Sequence, residues 1–237
     1  MKLSAPIFRL KRKARLKSRE AQIPLHQALD LVAREEGFDG WSLLAARYAE
    51  PSSGKQLIDA CGQGELVLLG ARPGHGKTLL ALEAAVAAMK EGRRSWFFSL
   101  EFGPEEIGRT FAAIGEEMAV FADLFEFDCS DDICASHIIE RLRDAQPGSV
   151  VIVDYLQLLD QKRSHPELAE QIADLRAFAL ESGVILFFVS QIHRDFDAAA
   201  DTLPRLADVR LPNPLDLALF SRSCFLHDGE IEIAAVG

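Results

Sequence analysis

Lys77 and Thr78 close a run whose residue types suit the capture of a polyphosphate: Gly70-Ala71-Arg72-Pro73-Gly74-His75-Gly76-Lys77-Thr78-Leu79. Gly74 and Gly76 let the backbone turn its amides toward one point, forming an anion nest. The Lys77 ammonium would reach the terminal phosphates, and the Thr78 hydroxyl would ligate Mg²⁺. Ala71, Arg72, Pro73, Gly74, His75, Gly76, Lys77, Thr78 and Leu79 are therefore the candidate nucleotide-binding residues, with ATP and Mg²⁺ as the expected cofactors. Ala71 stands where the strict pattern has its first glycine. The competing reading is a glycine-rich turn with an incidental lysine. The apolar run before it and the helical pattern after it argue against that, because a phosphate loop joins a strand to a helix.

Three more apolar runs end in a polar residue. Ser149-Val150-Val151-Ile152-Val153-Asp154 delivers a carboxylate to a strand end, where it could hold Mg²⁺ beside Thr78 or simply terminate the strand. Trp96-Phe97-Phe98-Ser99-Leu100-Glu101 does the same. Glu101 could act as the general base that takes a proton from an attacking water. It could equally belong, with Glu105 and Glu106, to a helix start near Pro104, and spacing leaves both open. Ile185-Leu186-Phe187-Phe188-Val189-Ser190-Gln191 presents a neutral amide, suited to contacting a γ-phosphate or the water that attacks it. His193 and Arg194 then open a polar stretch running to about Pro204, either a nucleic-acid or partner contact or a solvated loop.

These residues need a scaffold that gathers strand ends. Strand patterns at 65–69, 95–100, 124–128, 149–153 and 184–189 alternate with helical patterns at about 77–91, 104–117, 134–146 and 166–182. Strands apolar on both faces, alternating with helices, predict an α/β domain with a mostly parallel sheet and helices on both faces. Shorter strands are expected near 217–220, 223–227 and 231–236, with His227-Asp228-Gly229 as a turn. Pro51-Ser52-Ser53-Gly54 reads as a linker. Before it, Leu25, Ala28, Leu29, Val32 and Ala33 mark one short helix, and Phe38, Trp41, Leu43, Leu44 and Ala45 a second. The expected organisation is a basic arm over 1–22, a helical hairpin over 23–50 and the α/β domain over 55–237.

Charge divides the same way. Residues 1–19 hold eight of the 26 Lys and Arg and none of the 36 acids, so the rest carries 18 against 36. A basic arm on an acidic body suits contact with phosphates, an anionic membrane or the body's own surface. The acidic body argues against a broad, nonspecific duplex-binding face. An arginine-rich, acid-poor start also fits a transit peptide, although it lacks the serine richness of one. Hydrophobic residues at 49% and charged residues at 26% exclude wholesale disorder. No apolar run approaches the ~20 residues that span a bilayer. Cys61, Cys129, Cys134 and Cys224 form no C-x-x-C pair and read as reduced thiols, so the expected compartment is the cytoplasm, with no membrane partner. A metal centre on Cys129, Cys134 and His137 lacks a fourth ligand nearby.

Taken together, the four polar-ended segments and Val153-Asp154-Tyr155-Leu156-Gln157-Leu158 resemble the ATPase domain of replicative helicases of the DnaB type, within the RecA-like P-loop group. Leu206-Ala207-Asp208-Val209-Arg210 is similar to that family's Leu-Ser-Asp-Leu-Arg segment. The likeness covers roughly residues 55–225. It implies Lys77 and Thr78 as phosphate and Mg²⁺ ligands, Glu101 as catalytic base, Asp154 as the second acidic site and Gln191 as sensor. It also implies single-stranded DNA as a partner, with Lys162, Arg163 and Arg194 as candidate phosphate contacts, and a homo-oligomer. The pattern departs from the family at Leu211-Pro212-Asn213-Pro214, and residues 229–237 hold no Lys or Arg that could serve as a basic finger; Arg210 and Arg222 are the nearest substitutes. The expectation is therefore helicase-like ATP hydrolysis on or near DNA, with the missing basic finger counting against processive unwinding. The alternative is an ATP-dependent switch or adaptor that hydrolyses little and recruits a protein through the helical hairpin. That hairpin's Ala28-Leu29-Asp30-x-Val32-Ala33-x-x-x-Gly37-Phe38-x-x-Trp41 is similar to a short helical module of various bacterial proteins, some of the glyoxalase superfamily.

Overall fold

The computed structural model describes residues 4–5, 7–47, 52–160, 165–193, 196, 203–211, 213–227 and 230–236. The chain divides into two compact units, Met1–Pro51 and Ser52–Gly237.

The first unit is helical: α1 (Ile7–Glu20), α2 (Leu25–Glu35) and α3 (Trp41–Arg47). Leu10 and Ala14 of α1 share a core with Ala28, Val32 and Ala33 of α2 and Leu44 of α3. The basic segment is thus a packed helix sharing a core with the hairpin. Lys13 and Lys17 both reach Glu35 on α2, the former at 2.7 Å. Hydrogen bonds from Lys13 and then Lys17 hold the Glu35 carboxyl down at about 2, well below the usual carboxylate range. Asp30 Oδ1 accepts from the Trp41 backbone N–H at 2.9 Å, satisfying a first-turn donor of α3 that the helix itself leaves unpaired.

The second unit opens with α4 (Ser53–Ala60), where the sequence suggested only a linker. Ser52 is its N-cap, its side chain accepting from Lys55 N at 3.1 Å. Leu57 and Ile58 are buried against α5 (Lys77–Lys90). Gly54 serves this packing: a Cβ there would lie 2.4 Å from the backbone carbon of Glu83. The polar Ser-Ser-Gly run therefore starts a helix that presses closely on its neighbour.

Six parallel strands follow: β1 (Leu66–Ala71), β2 (Ser95–Ser99), β3 (Phe125–Asp128), β4 (Val150–Asp154), β5 (Ile185–Gln191) and β6 (Arg222–His227). The antiparallel β7 (Glu230–Ala235) completes a seven-stranded sheet of order β3-β2-β4-β5-β1-β6-β7. Residues Asp228 and Gly229 of the expected turn lie outside the described residues. Side chains alternate between the faces. Val67, Leu69, Phe97, Ile152, Phe187 and Val189 pack with α4, α5 and α6 (Pro104–Ile114). Leu66, Leu68, Trp96, Phe98, Val151, Val153, Leu186 and Phe188 pack with α7 (Ala135–Arg141) and α8 (Leu168–Ser182). Both faces are dry, which is why the strands read as unbroken apolar runs.

One expected strand is absent. Leu217–Leu219 forms a 3-10 turn, with the Asp216 carboxylate accepting from Ala218 N at 3.0 Å. Its leucines pack, half-buried, on the α8 side of the sheet, so their apolarity reflects a turn laid against the core. Among the described residues no helix is long and apolar enough to cross a membrane, and no group of three His, Cys, Asp or Glu side chains could hold a metal ion. His137 instead meets Asp128 at 2.9 Å.

Candidate active site

The phosphate loop lies between β1 and α5, where the sequence put it. Gly74 and Gly76 both have positive φ, 80° and 84°. A Cβ at Gly74 would touch nothing within 4 Å, and one at Gly76 only Leu226 at 3.8 Å. The left-handed backbone rather than crowding is what requires glycine there. Gly76 is the residue before α5, so Lys77 and Thr78 begin the helix and its unpaired N–H groups face the loop. Gly74, Gly76, Lys77, Thr78 and Leu79 line one side of a cleft of about 400 Å³; Phe102, Arg109, Thr110 and Ala113 line the other. Ala71 is the buried last residue of β1. Arg72, Pro73 and His75 do not line this cleft. His75 stacks on His227 at the end of β6, ring centroids 4.9 Å apart and planes 14° from parallel. Phe196 also meets His227, with ring centroids 5.7 Å apart and the planes steeply inclined.

Strand register brings the acids to the loop. Ser99 pairs with Asp154, Asp154 with Val189, and Gln191 with Ala71, so the carboxyl ends of β2, β4, β5 and β1 form one rim. Asp154 is 1% exposed, and its Oδ2 accepts from Thr78 Oγ1 at 2.7 Å. Burial pushes the Asp154 carboxyl up to about 6; Thr78 and the Lys77 ammonium pull it down, and the charge of Glu101 adds to the rise. A hydroxyl and a buried carboxylate are the hard oxygen ligands that Mg²⁺ prefers. Glu101 lies near enough for its negative charge to act on Asp154, a second acid that favours a cation there, so the residues present suit the metal.

Glu101 is exposed on the loop after β2. Its backbone N–H and that of Phe102 donate to the buried Ser99 hydroxyl, at 3.1 and 3.3 Å. The helix-start acids are Glu105 and Glu106, within the first turn of α6. Glu106 also accepts from Gly103 N at 3.0 Å. Glu101 lies outside that turn.

Two glutamines organise the neighbouring loops, and single-residue patterns did not reveal them. Gln157 Nε2 donates to the Arg210 carbonyl at 2.7 Å and to Ser190 Oγ at 3.3 Å. Arg210 N in turn donates to the Gln191 carbonyl at 2.8 Å. Tyr155, Gln157, Gln191 and Arg210 surround a second, smaller hollow of about 240 Å³. The fully buried Gln171 of α8 donates to the carbonyls of Leu159 and Pro166 and accepts from Ala135 N. It thereby ties both sides of segment 161–164. Lys162, Arg163 and Arg194, the candidate nucleic-acid contacts, lie outside the described residues, as does most of the polar stretch before Pro204. Arg222 forks onto Glu65 through two 3.0 Å bonds at the opposite, amino-terminal rim of the sheet.

A parallel sheet with β5 inserted between the phosphate-loop strand and the strand ending in Asp154, flanked by helices, is the fold of a RecA-like P-loop NTPase. Comparisons with known proteins agree and include helicases of the DnaB type. The profile of the DnaB-like helicase C terminal domain matches residues 124–214, which include Asp154 and Gln191 but not the phosphate loop. A probable plasmid replicative DNA helicase of Chlamydia trachomatis is 28% identical over 195 residues, covering 68% of this chain and 43% of that protein. The chain thus spans less than half the length of that relative. Among solved structures, the ATPase domain of G40P aligns with a TM-score of 0.57 at 19% identity, over 82% of this chain and 92% of that one. A DnaB-like replicative helicase, determined with its interactions with primase, aligns with a TM-score of 0.58 at 20% identity, over 92% of this chain and 65% of that one. The second unit therefore has a RecA-like fold, and it resembles the ATPase domains of DnaB-type helicases.

Proposed function

We propose that residues 52–237 bind MgATP in the cleft above the phosphate loop and hydrolyse it, and that this activity serves work on or near single-stranded DNA. The observation that carries the reading is the 2.7 Å contact of Asp154 with Thr78, which lines the cleft beside Lys77. The loop amides and Lys77 hold the β- and γ-phosphates and neutralise charge that builds up on their oxygens. Thr78 and Asp154 would hold Mg²⁺, which when bound adds further neutralisation there. Glu101 takes a proton from water as the water oxygen attacks the γ-phosphorus; the bond to the β–γ bridging oxygen breaks, and ADP leaves. Gln191, at the same rim, contacts the γ-phosphate or that water. Support for Glu101 as the base comes from its position outside the first turn of α6. Support for DNA comes from the replicative helicases that the chain resembles, and Lys162, Arg163 and Arg194 are proposed as its phosphate contacts. A homo-oligomer is proposed on the same ground.

Steady-state ATP turnover with and without single-stranded DNA, alongside mass by light scattering, tests this. Glu101→Gln should still bind ATP and lose about 10²–10⁴-fold in rate, the range for a positioned general base. Lys77→Ala should lose nucleotide binding in calorimetry. Parental turnover in Glu101→Gln, or parental ATP affinity in Lys77→Ala, overturns the assignment. Tight ATP binding with no turnover, with or without DNA, favours the switch.

A further inference from the structure

The eight cations near the amino terminus do not share one environment. Lys13 and Lys17 lie on the side of α1 that meets α2 and are paired there with Glu35. Lys11, Arg12, Arg15 and Arg19 are exposed. At 3.6 residues per turn these four fall within an arc of about 100°, turned away from the face that buries Leu10 and Ala14. Lys11, Arg15 and Arg19 succeed one another every four residues, a rise of about 6 Å per step. Three of the four are guanidinium groups, which present a planar fork that matches phosphate oxygens.

The stripe also concentrates the molecule's positive charge. Residues 1–51 hold ten Lys and Arg and six Asp and Glu. Of the chain's 26 and 36, this leaves 16 against 30 for residues 52–237. The helical unit is net positive by four, while the ATPase unit is net negative by fourteen. A polyanion approaching the chain is drawn to the first unit and repelled by the second.

We propose that the Lys11/Arg12/Arg15/Arg19 face of α1 is a docking surface for the phosphate backbone of a nucleic acid. This stands on the first unit alone and does not rest on ATP hydrolysis. A membrane surface fits less well. Helices that lie in a bilayer interface insert an apolar face, whereas Leu10 and Ala14 of α1 are 1% and 0% exposed within their own core. Among the described side chains, Leu16, 51% exposed, is the one apolar residue beside the stripe. Backbone contacts of this kind carry no base specificity. The surface would raise the local concentration of strand near the ATPase unit without choosing a sequence.

The test uses the full chain carrying Lys77→Ala, so that nucleotide binding plays no part. Anisotropy of a labelled 30-base-pair duplex and a 30-nucleotide single strand is recorded from 50 to 200 mM KCl. The same background with Lys11→Gln, Arg12→Gln, Arg15→Gln and Arg19→Gln is compared with it, circular dichroism confirming that α1 keeps its helicity. Each lost phosphate contact removes about 0.9 from the slope of log K against log salt on duplex and about 0.7 on single strand. The fourfold variant should therefore flatten the duplex slope by roughly 2–4 and weaken binding more than tenfold at 100 mM salt. An unchanged slope and affinity overturn the proposal. So does sedimentation of the parent chain with phosphatidylserine vesicles in the absence of nucleic-acid binding, which would assign the stripe to a membrane.

Discussion

The Thr78 hydroxyl donates to the Asp154 carboxylate across 2.7 Å, joining the first turn of α5 to the end of β4, 76 residues later in the chain. Neither segment alone makes a metal site. The hydrogen bond holds the two ligands together before any cation arrives, and together with the Lys77 ammonium it offsets part of the burial of the carboxylate.

That burial has a consequence for stability. The folded-state carboxyl of Asp154 sits at about 6, above its ordinary 3.8, because desolvation penalises the charged form. The folded state therefore grips this proton more tightly than the unfolded chain does. The associated stability is complete below the unfolded value and is lost as pH rises through about 6. At about 1.4 kcal/mol per pKa unit the effect reaches about 3 kcal/mol at most. In EDTA, Asp154→Asn should be more stable than the parent at pH 7.5, with the difference shrinking toward zero near pH 4. Urea unfolding at both pH values measures it, and parallel pH profiles for the two proteins would refute it. The same variant should lose Mg²⁺-dependent nucleotide binding.

The stacked pair His75 and His227 predicts a split in kinetic effects. Their contact ties the phosphate loop to the end of β6, and Phe196 packs against His227 as well. Neither ring lines the cleft. An aromatic pair contributes about 0.5–1.5 kcal/mol beyond its buried area. His227→Ala should thus raise KM for ATP roughly two- to tenfold and leave kcat nearly unchanged. His227→Phe, which keeps a ring in the stack, should restore KM. A fall in kcat with KM unchanged would instead place His227 in the chemical step.

Gly54 sets two effects against each other. Replacing a helical glycine by alanine ordinarily gains about 1 kcal/mol of helix propensity. Here the new methyl would stand 2.4 Å from Glu83 backbone and side-chain carbons and 2.5 Å from Ala84 N, atoms that cannot swing aside. Overpacking of this kind costs about 1–3 kcal/mol or more, so the clash wins. Gly54→Ala should lower Tm by several degrees, at about 2–4 °C per kcal/mol for a domain of this size. A Tm equal to or above the parent's would mean that α4 and α5 do not cross so closely.

Much of this architecture is legible in the residues. Lys77-Thr78, Asp154 and Gln191 each end or follow an apolar run, and the strands and helices around them fall close to where the periodicity puts them. Other features are not. Ser52-Ser53-Gly54 has the composition of a linker, and only the burial of Leu57 and Ile58 against α5 shows that Ser52 caps a helix. Leu217 and Leu219 look like strand residues because they are apolar and half-buried against the sheet, although the backbone carrying them turns. Gln171 resembles any polar residue on a helix until Leu159, Pro166 and Ala135 are seen converging on its amide.

The amino-acid sequence by itself determined the local parts: glycines where the loop needs a left-handed backbone, a lysine and a threonine at a helix start, and carboxylates and an amide at strand ends. Those are short-range matters of backbone freedom and side-chain periodicity. Only the tertiary structure decided which ends are neighbours. Strands apolar on both faces carry no mark of their partners, so the placing of β5 between β1 and β4, the meeting of Thr78 with Asp154 and the stacking of His75 on His227 follow from how the whole sheet packs. The same holds for α1, whose cations divide into a paired set and an exposed stripe only because one of its faces is buried against α2.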